Sequence, residues 1–176
     1  MMKKPILKPV VYICLCAVLL FGCNLALSGT RDRVAQKAHL ELMQTLLPGS
    51  SDFILEPYQG DDANIVSVHR AEQGVVVETV VSGYAGPITT FVGVDNDGRI
   101  TGLLVRDMEE TYTLGAEALG NVAFLKQYLH TSGSAAVGDG VDAITGATVT
   151  SNAVTRAVNS AASYVTGADV SSGATS

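Results

Sequence analysis

The residues of this chain best suited to chemistry are Asp142-Ala143-Ile144-Thr145-Gly146-Ala147-Thr148. They run into Val149-Thr150-Ser151-Asn152. From Ser151 to Val165, Ala153, Val154, Ala157, Val158, Ala161, Ala162 and Val165 recur at helical spacing. Thr148, Thr150 and Ser151 are all of N-cap type at that helix start. A helix N-terminus offers unpaired N–H groups and the positive end of the dipole, which suits a phosphate. Gly146 and Ala147 leave the backbone and the Thr148 hydroxyl unshielded. Read by itself, the stretch is an anion site or an ordinary helix cap behind a glycine turn. Other chemistry has little footing. His39, His69 and His130 are scattered, which argues against a metal site. Cys14, Cys16 and Cys23 all lie in one apolar run near the start, so the rest of the chain has neither a disulfide framework nor a cysteine-based metal site.

The elements that must position this stretch can be read from pattern. Ile65–Val68 and Val75–Val81 flank a Gln73-Gly74 turn, and Thr89–Val94 and Arg99–Val105 flank Asp95-Asn96-Asp97-Gly98. Such β-branched runs between Asn/Asp/Gly turns predict antiparallel hairpins. Residues 116–130 carry a helical pattern in Ala118, Leu119, Val122, Phe124, Leu125 and Leu129. Residues 131–140 form a Gly/Ser/Ala loop that delivers the chain to Asp142. Residues 50–64 are a mixed loop, in which adjacent Asp61 and Asp62 lack the ligand spacing of a calcium loop.

Asp142-x-x-Thr145-Gly146-Ala147-Thr148 resembles the D-x-x-[S/T]-G-A-T signature of the covalent FMN-binding domain family. In that family a flavin transferase joins the FMN phosphate to the last threonine. The resemblance makes Thr148 the attachment residue, with Asp142, Thr145, Gly146 and Ala147 completing the signature. It resumes at Gly83-Tyr84-Ala85-Gly86-Pro87-Ile88 and from Phe91 to Gly102, and covers Gly83 to Val165. The family also carries E-T-P-G-L-G against the flavin ring. Glu110, Thr111, Leu114 and Gly115 match it, whereas Tyr112 and Thr113 stand where Pro and Gly are usual. That exchange alters the backbone freedom of the loop, since Pro fixes φ and Gly permits positive φ. Asp169-Val170-Ser171-Ser172-Gly173-Ala174-Thr175 repeats the signature, but no helix follows it, so Thr148 is favoured over Thr175.

The amino terminus sets the setting. Pro9 to Leu27 is nineteen almost unbroken apolar residues, close to the ~20 that cross a bilayer. Lys3, Lys4 and Lys8 precede it, which places the amino terminus in the cytoplasm and the remainder outside. An uncleaved anchor is the first reading. A lipid anchor on Cys23 is second, and cleavage near Ala26-Leu27-Ser28 third. Val34, Ala38, Leu42 and Leu46 form an apolar stripe on a stalk helix capped by Thr30 and ended by Pro48-Gly49, following the anchor after a short break. Residues 29–176 carry eight Lys or Arg against seventeen Asp or Glu, a poor balance for nucleic acid.

The expected chain is α+β. A cytoplasmic stub and transmembrane anchor occupy 1–28, and a stalk helix and connecting loop 29–64. An extracytoplasmic antiparallel-sheet FMN-binding domain with flanking helices spans 65–167, and a flexible tail 168–176. This layout resembles the G subunits of Rnf-type ion-translocating electron transport complexes, related to the C subunit of sodium-translocating NADH:quinone reductase. The resemblance implies a subunit with covalent FMN, no catalytic side chain and no metal. It would reside in the inner membrane among other membrane subunits, matured by a flavin transferase, in a complex that couples ferredoxin and NAD redox chemistry to ion translocation. Two alternatives stay open: a stand-alone anchored FMN-dependent reductase, and a flavin-free anchored binding domain.

Overall fold

The structure, a computed structural model, describes residues 7–108, 120–132, 135–138 and 140–167. The β-branched runs form a five-stranded antiparallel sheet in sequential order. Its strands are β1 (Ile54–Glu56), β2 (Ile65–Ala71), β3 (Gly74–Ser82), β4 (Pro87–Asp95) and β5 (Ile100–Met108). The two predicted hairpins are present, with Ala71 opposite Gly74 at one turn and Asp95 N–H bonded to Arg99 O at 2.9 Å at the other. β1 was not legible, because three residues are too few to show a period. Its Glu56 accepts from Arg70 Nε at 2.7 Å, and the Arg70 hydrogen bond holds the Glu56 carboxyl below its usual range.

Period-two alternation gives the sheet two apolar faces. Val75, Val77 and Val81 of β3, with Ile88, Val92 and Val94 of β4, point to one side and are fully buried or nearly so. They meet α3 (Thr148–Thr166), whose Ala153, Val154, Ala157, Val158, Ala161 and Ala162 are buried as the spacing predicted. Small residues at these positions let helix and sheet approach closely. The short α2 (Val122–Lys126) adds Phe124 to this core, and Tyr128 just beyond it stacks edge-on at 5.5 Å. The other face presents Val76 and Phe91 to Met43, Leu46 and Leu47.

Met43 and Leu46 lie in the last turn of the long helix α1 (Leu7–Leu46), and Leu47 follows it directly. The chain divides into two compact units, Met1–Glu41 and Leu42–Ser176, so only the last turn of α1 belongs to the sheet's unit. Two expectations about this helix are corrected. No break separates an anchor helix from a stalk helix, and Thr30 is not a cap. Helix continues through Ser28-Gly29-Thr30, because one interior Gly costs only about 1 kcal/mol relative to Ala and no proline intervenes. Among the described residues, no helix is long and apolar enough to cross a membrane. Many side chains between Pro9 and Leu27 fall outside that description. The Gly/Ser/Ala segment after His130 also holds more order than expected, a parallel pairing of β6 (Ala136–Val137) with β7 (Gly140–Val141).

Candidate functional site

The loop from Asp142 to Ala147 is built around one turn. Ala147 N donates to Ile144 O at 2.9 Å, and Gly146 at the third position has φ 81°. That positive φ is what a type II turn requires and what glycine supplies without strain. The first helical bond follows at once, from Ser151 N to Ala147 O at 2.9 Å. The N-cap of α3 is therefore Ala147, which makes no side-chain capping bond. Thr148, Thr150 and Ser151, which the sequence offered as caps, all lie inside the first turn. Ser151 instead accepts from Ile144 N at 3.3 Å and draws the loop against the helix.

The consequence is an exposed Thr148 at the first helical position. The helix start behind it has no side-chain oxygen from its N-cap on the leading N–H groups. Thr145 and Gly146 are exposed in the turn, Ala147 is buried beneath it, and Asp142 is exposed at its entry. The structure thus brings Asp142, Thr145, Gly146, Ala147 and Thr148 together as one local unit. The predicted Glu110, Thr111, Leu114 and Gly115 lie outside the described residues, as does Thr175.

Several residues that hold this unit gave no sequence signal. Gln127, just after α2, accepts from Asp142 N at 2.7 Å and donates to Asp142 O at 3.3 Å. Tyr128 is fully buried and shares a 2.8 Å hydrogen bond with Thr155, which donates to Ser151 O at 2.9 Å. Burial pushes the Tyr128 phenol up to about 12, against the opposing pull of the Thr155 bond. Arg156 on α3 donates to Ser82 O at 2.9 Å.

These contacts orient the helix over the sheet. Ser82 pairs with Pro87, and Ile88 with Met108, so the ends of β3 and β5 and the start of β4 lie at one end. Thr166, at the far end of α3, lies against Gly98 in the turn at the opposite end. Thr148 precedes Arg156 by eight residues, about 12 Å of helix, so the loop sits beyond the Ser82 end. β5 delivers the chain to that same end at Met108.

Comparison with known proteins bears on the part of the chain that holds this loop. Residues 83–163 match the model of the FMN-binding domain family. The chain is 30% identical over 168 residues to the G subunit of the Na(+)-translocating ferredoxin:NAD(+) oxidoreductase complex of Acetobacterium woodii, covering 78% of this chain and 81% of that one. It is 36% identical over 141 residues to the G subunit of the ion-translocating oxidoreductase complex of Methanosarcina acetivorans, covering 71% and 73%. The corresponding protein of Pseudoalteromonas atlantica is 30% identical over 192 residues, covering 93% and 89%.

Proposed function

The chain belongs to the family of G subunits of ion-translocating oxidoreductase complexes, and we propose that it carries FMN as a phosphoester on Thr148. It is an FMN electron-transfer subunit of such a complex. The flavin supplies the redox chemistry, and the protein supplies place and environment.

The observation that carries the Thr148 assignment is its position: an exposed hydroxyl at the first residue of a 19-residue helix whose N-cap makes no side-chain bond. A phosphate esterified there lies beside N–H groups and the positive end of the helix dipole. Gly146 keeps the approach free of side chain. Thr145, Ala147 and Asp142 shape the rest of the unit. A phosphoester uses none of the ring that carries electrons, and a tether prevents loss of the cofactor from an extracytoplasmic domain. Glu110, Thr111, Leu114 and Gly115 are assigned to the border of the ring on their match to the family's E-T-P-G-L-G stretch.

Residues 9–27 form the anchor in this reading, and their support is the apolar run itself within a helix of 40 residues. The FMN domain lies on the extracytoplasmic face. Electrons pass between neighbouring membrane subunits, in a complex that links ferredoxin and NAD chemistry to ion movement. A flavin transferase matures the chain.

Intact mass and peptide mapping of the protein from its native membranes test the assignment. The expected result is a gain of one FMN phosphoester, about 438 Da for the cofactor less water, on the Thr148 peptide and absent from Thr148→Ala. Flavin that persists on Thr148→Ala after denaturation, or that maps to Thr175 alone, overturns it.

A further inference from the structure

We infer that Gln127 is a positioning residue for flavin attachment, holding the Asp142–Thr148 loop in the shape that the transferring enzyme modifies. The inference rests on Thr148 being the attachment residue.

Gln127 grips both backbone groups of one residue. Its Oε1 accepts from Asp142 N at 2.7 Å and its Nε2 donates to Asp142 O at 3.3 Å. A side-chain amide is the neutral group that carries a donor and an acceptor at this spacing. The grip falls on the first residue of the motif and leaves its side chain exposed. Among the described residues, no hydrogen bond occupies the Asp142 carboxylate.

The mount of Gln127 is firm. Phe124, three residues before it, and Tyr128, the residue after it, are buried in the core. Asn121 Oδ1 caps α2 by accepting from Ala123 N at 3.0 Å and Phe124 N at 3.2 Å. The segment after it is tied to β5, with His130 N donating to Ile100 O at 2.8 Å and Ile100 N to Thr131 O at 2.9 Å. The loop is therefore held at two points. Gln127 fixes its entry, and Ser151 fixes its middle through Ile144 N. Thr148 follows Ile144 by four residues, at the start of α3, so its hydroxyl is approached between the helix and a loop whose entry Gln127 holds.

That placement matters for the transfer. With a flavin dinucleotide as donor, the Thr148 O–H bond breaks and a bond forms from its oxygen to the FMN phosphorus. The pyrophosphate bond breaks, the nucleoside monophosphate leaves with the electron pair, and the proton passes to solvent or base. No electrons are gained or lost. The attacking oxygen must stand in line with the leaving group, so a loosened loop slows the step even when the protein remains folded.

The test uses the full-length chain in detergent, incubated with purified flavin transferase and flavin adenine dinucleotide. Covalent flavin is followed by intact mass and in-gel fluorescence, and melting temperature is recorded beside it. Gln127→Ala is expected to lower the modification rate about tenfold, the loss of about one orienting hydrogen bond, with the melting temperature nearly unchanged. Gln127→Glu retains the acceptor for Asp142 N and is expected to recover much of the rate. Equal rates for wild type and Gln127→Ala overturn the inference. So does a loss in Gln127→Ala that only tracks its melting temperature across both variants. A wild type that takes up flavin elsewhere than Thr148, or none, overturns the attachment assignment instead, so the two failures are distinct.

Discussion

Residue identity made the setting of Thr148 legible, because its place at a helix start depends on neighbours close in sequence: a turn glycine, a small residue before it and an apolar helix after it. Gln127 was not legible. A glutamine in a helical pattern looks like a solvated position, and its partner lies fifteen residues away. Tyr128 was hidden for the same reason, since only the fold closes it against Thr155. It carries a prediction. Its phenol is neutral in the folded protein up to about 12, against 10.0 for an unburied tyrosine. The folded state therefore binds more protons than the unfolded state between these values. Stability from this group is full below pH ~10 and is lost as pH rises toward ~12, by on the order of 2 kcal/mol. Denaturant unfolding of wild type and Tyr128→Phe across pH 9–12 checks it. The wild type is expected to lose more stability with rising pH. Parallel curves would show that Tyr128 is not the group responsible.

Elements were legible where a period was long enough to read. The four long strands and α3 each repeat their pattern several times, whereas β1, β6 and β7 have three residues or fewer. The stop of α1 was visible in Pro48-Gly49, but its continuity through Gly29 was not. What pattern could not supply was the reason for two glycines in adjacent strands. Gly93 pairs with Gly102, and the end of α1 sits directly on them. A Cβ added at Gly93 would lie 2.1 Å from Leu46 O, and one at Gly102 2.7 Å from it. Leu46 O also accepts from Thr101 Oγ1 at 2.6 Å, which satisfies a carbonyl at the helix end. The contact atoms are backbone and cannot rotate away. Gly93→Ala is therefore expected to cost about 1–3 kcal/mol through overpacking, with Gly102→Ala similar or smaller. Thermal unfolding of the two variants measures this. An unchanged melting temperature for Gly93→Ala would mean that the helix end is not seated there. Covalent flavin content should be unaffected in the folded fraction, because the glycines lie on the sheet face opposite α3.

At the scale of the molecule, the sequence divides by charge and apolarity before any fold is known. Three lysines and no acid precede residue 29, and an excess of acids follows. The fold divides similarly, since among the described residues both apolar cores are made from Leu42 onward. The work of residues 1–28 is therefore sought outside those cores. An apolar run of nineteen residues exposed to water is costly, at about 25 cal/mol per Å² of apolar surface, and a bilayer removes that cost. Deleting residues 1–28 is accordingly expected to release the chain into the aqueous fraction, folded and still modified on Thr148 when the transferase is present. The full chain is expected to stay in the membrane pellet through an alkaline carbonate wash and to co-purify with multi-span subunits in mild detergent. Fractionation of both chains, followed by flavin fluorescence, decides between readings. A shortened chain that remains membrane-bound after the wash would place the attachment in the sheet domain or a partner. A full chain that purifies alone yet carries flavin would favour a stand-alone reductase over a complex subunit. The apolar run and the flavin site can thus be separated, because the loop that presents Thr148 is held by Gln127 and Ser151, both far from the run in sequence.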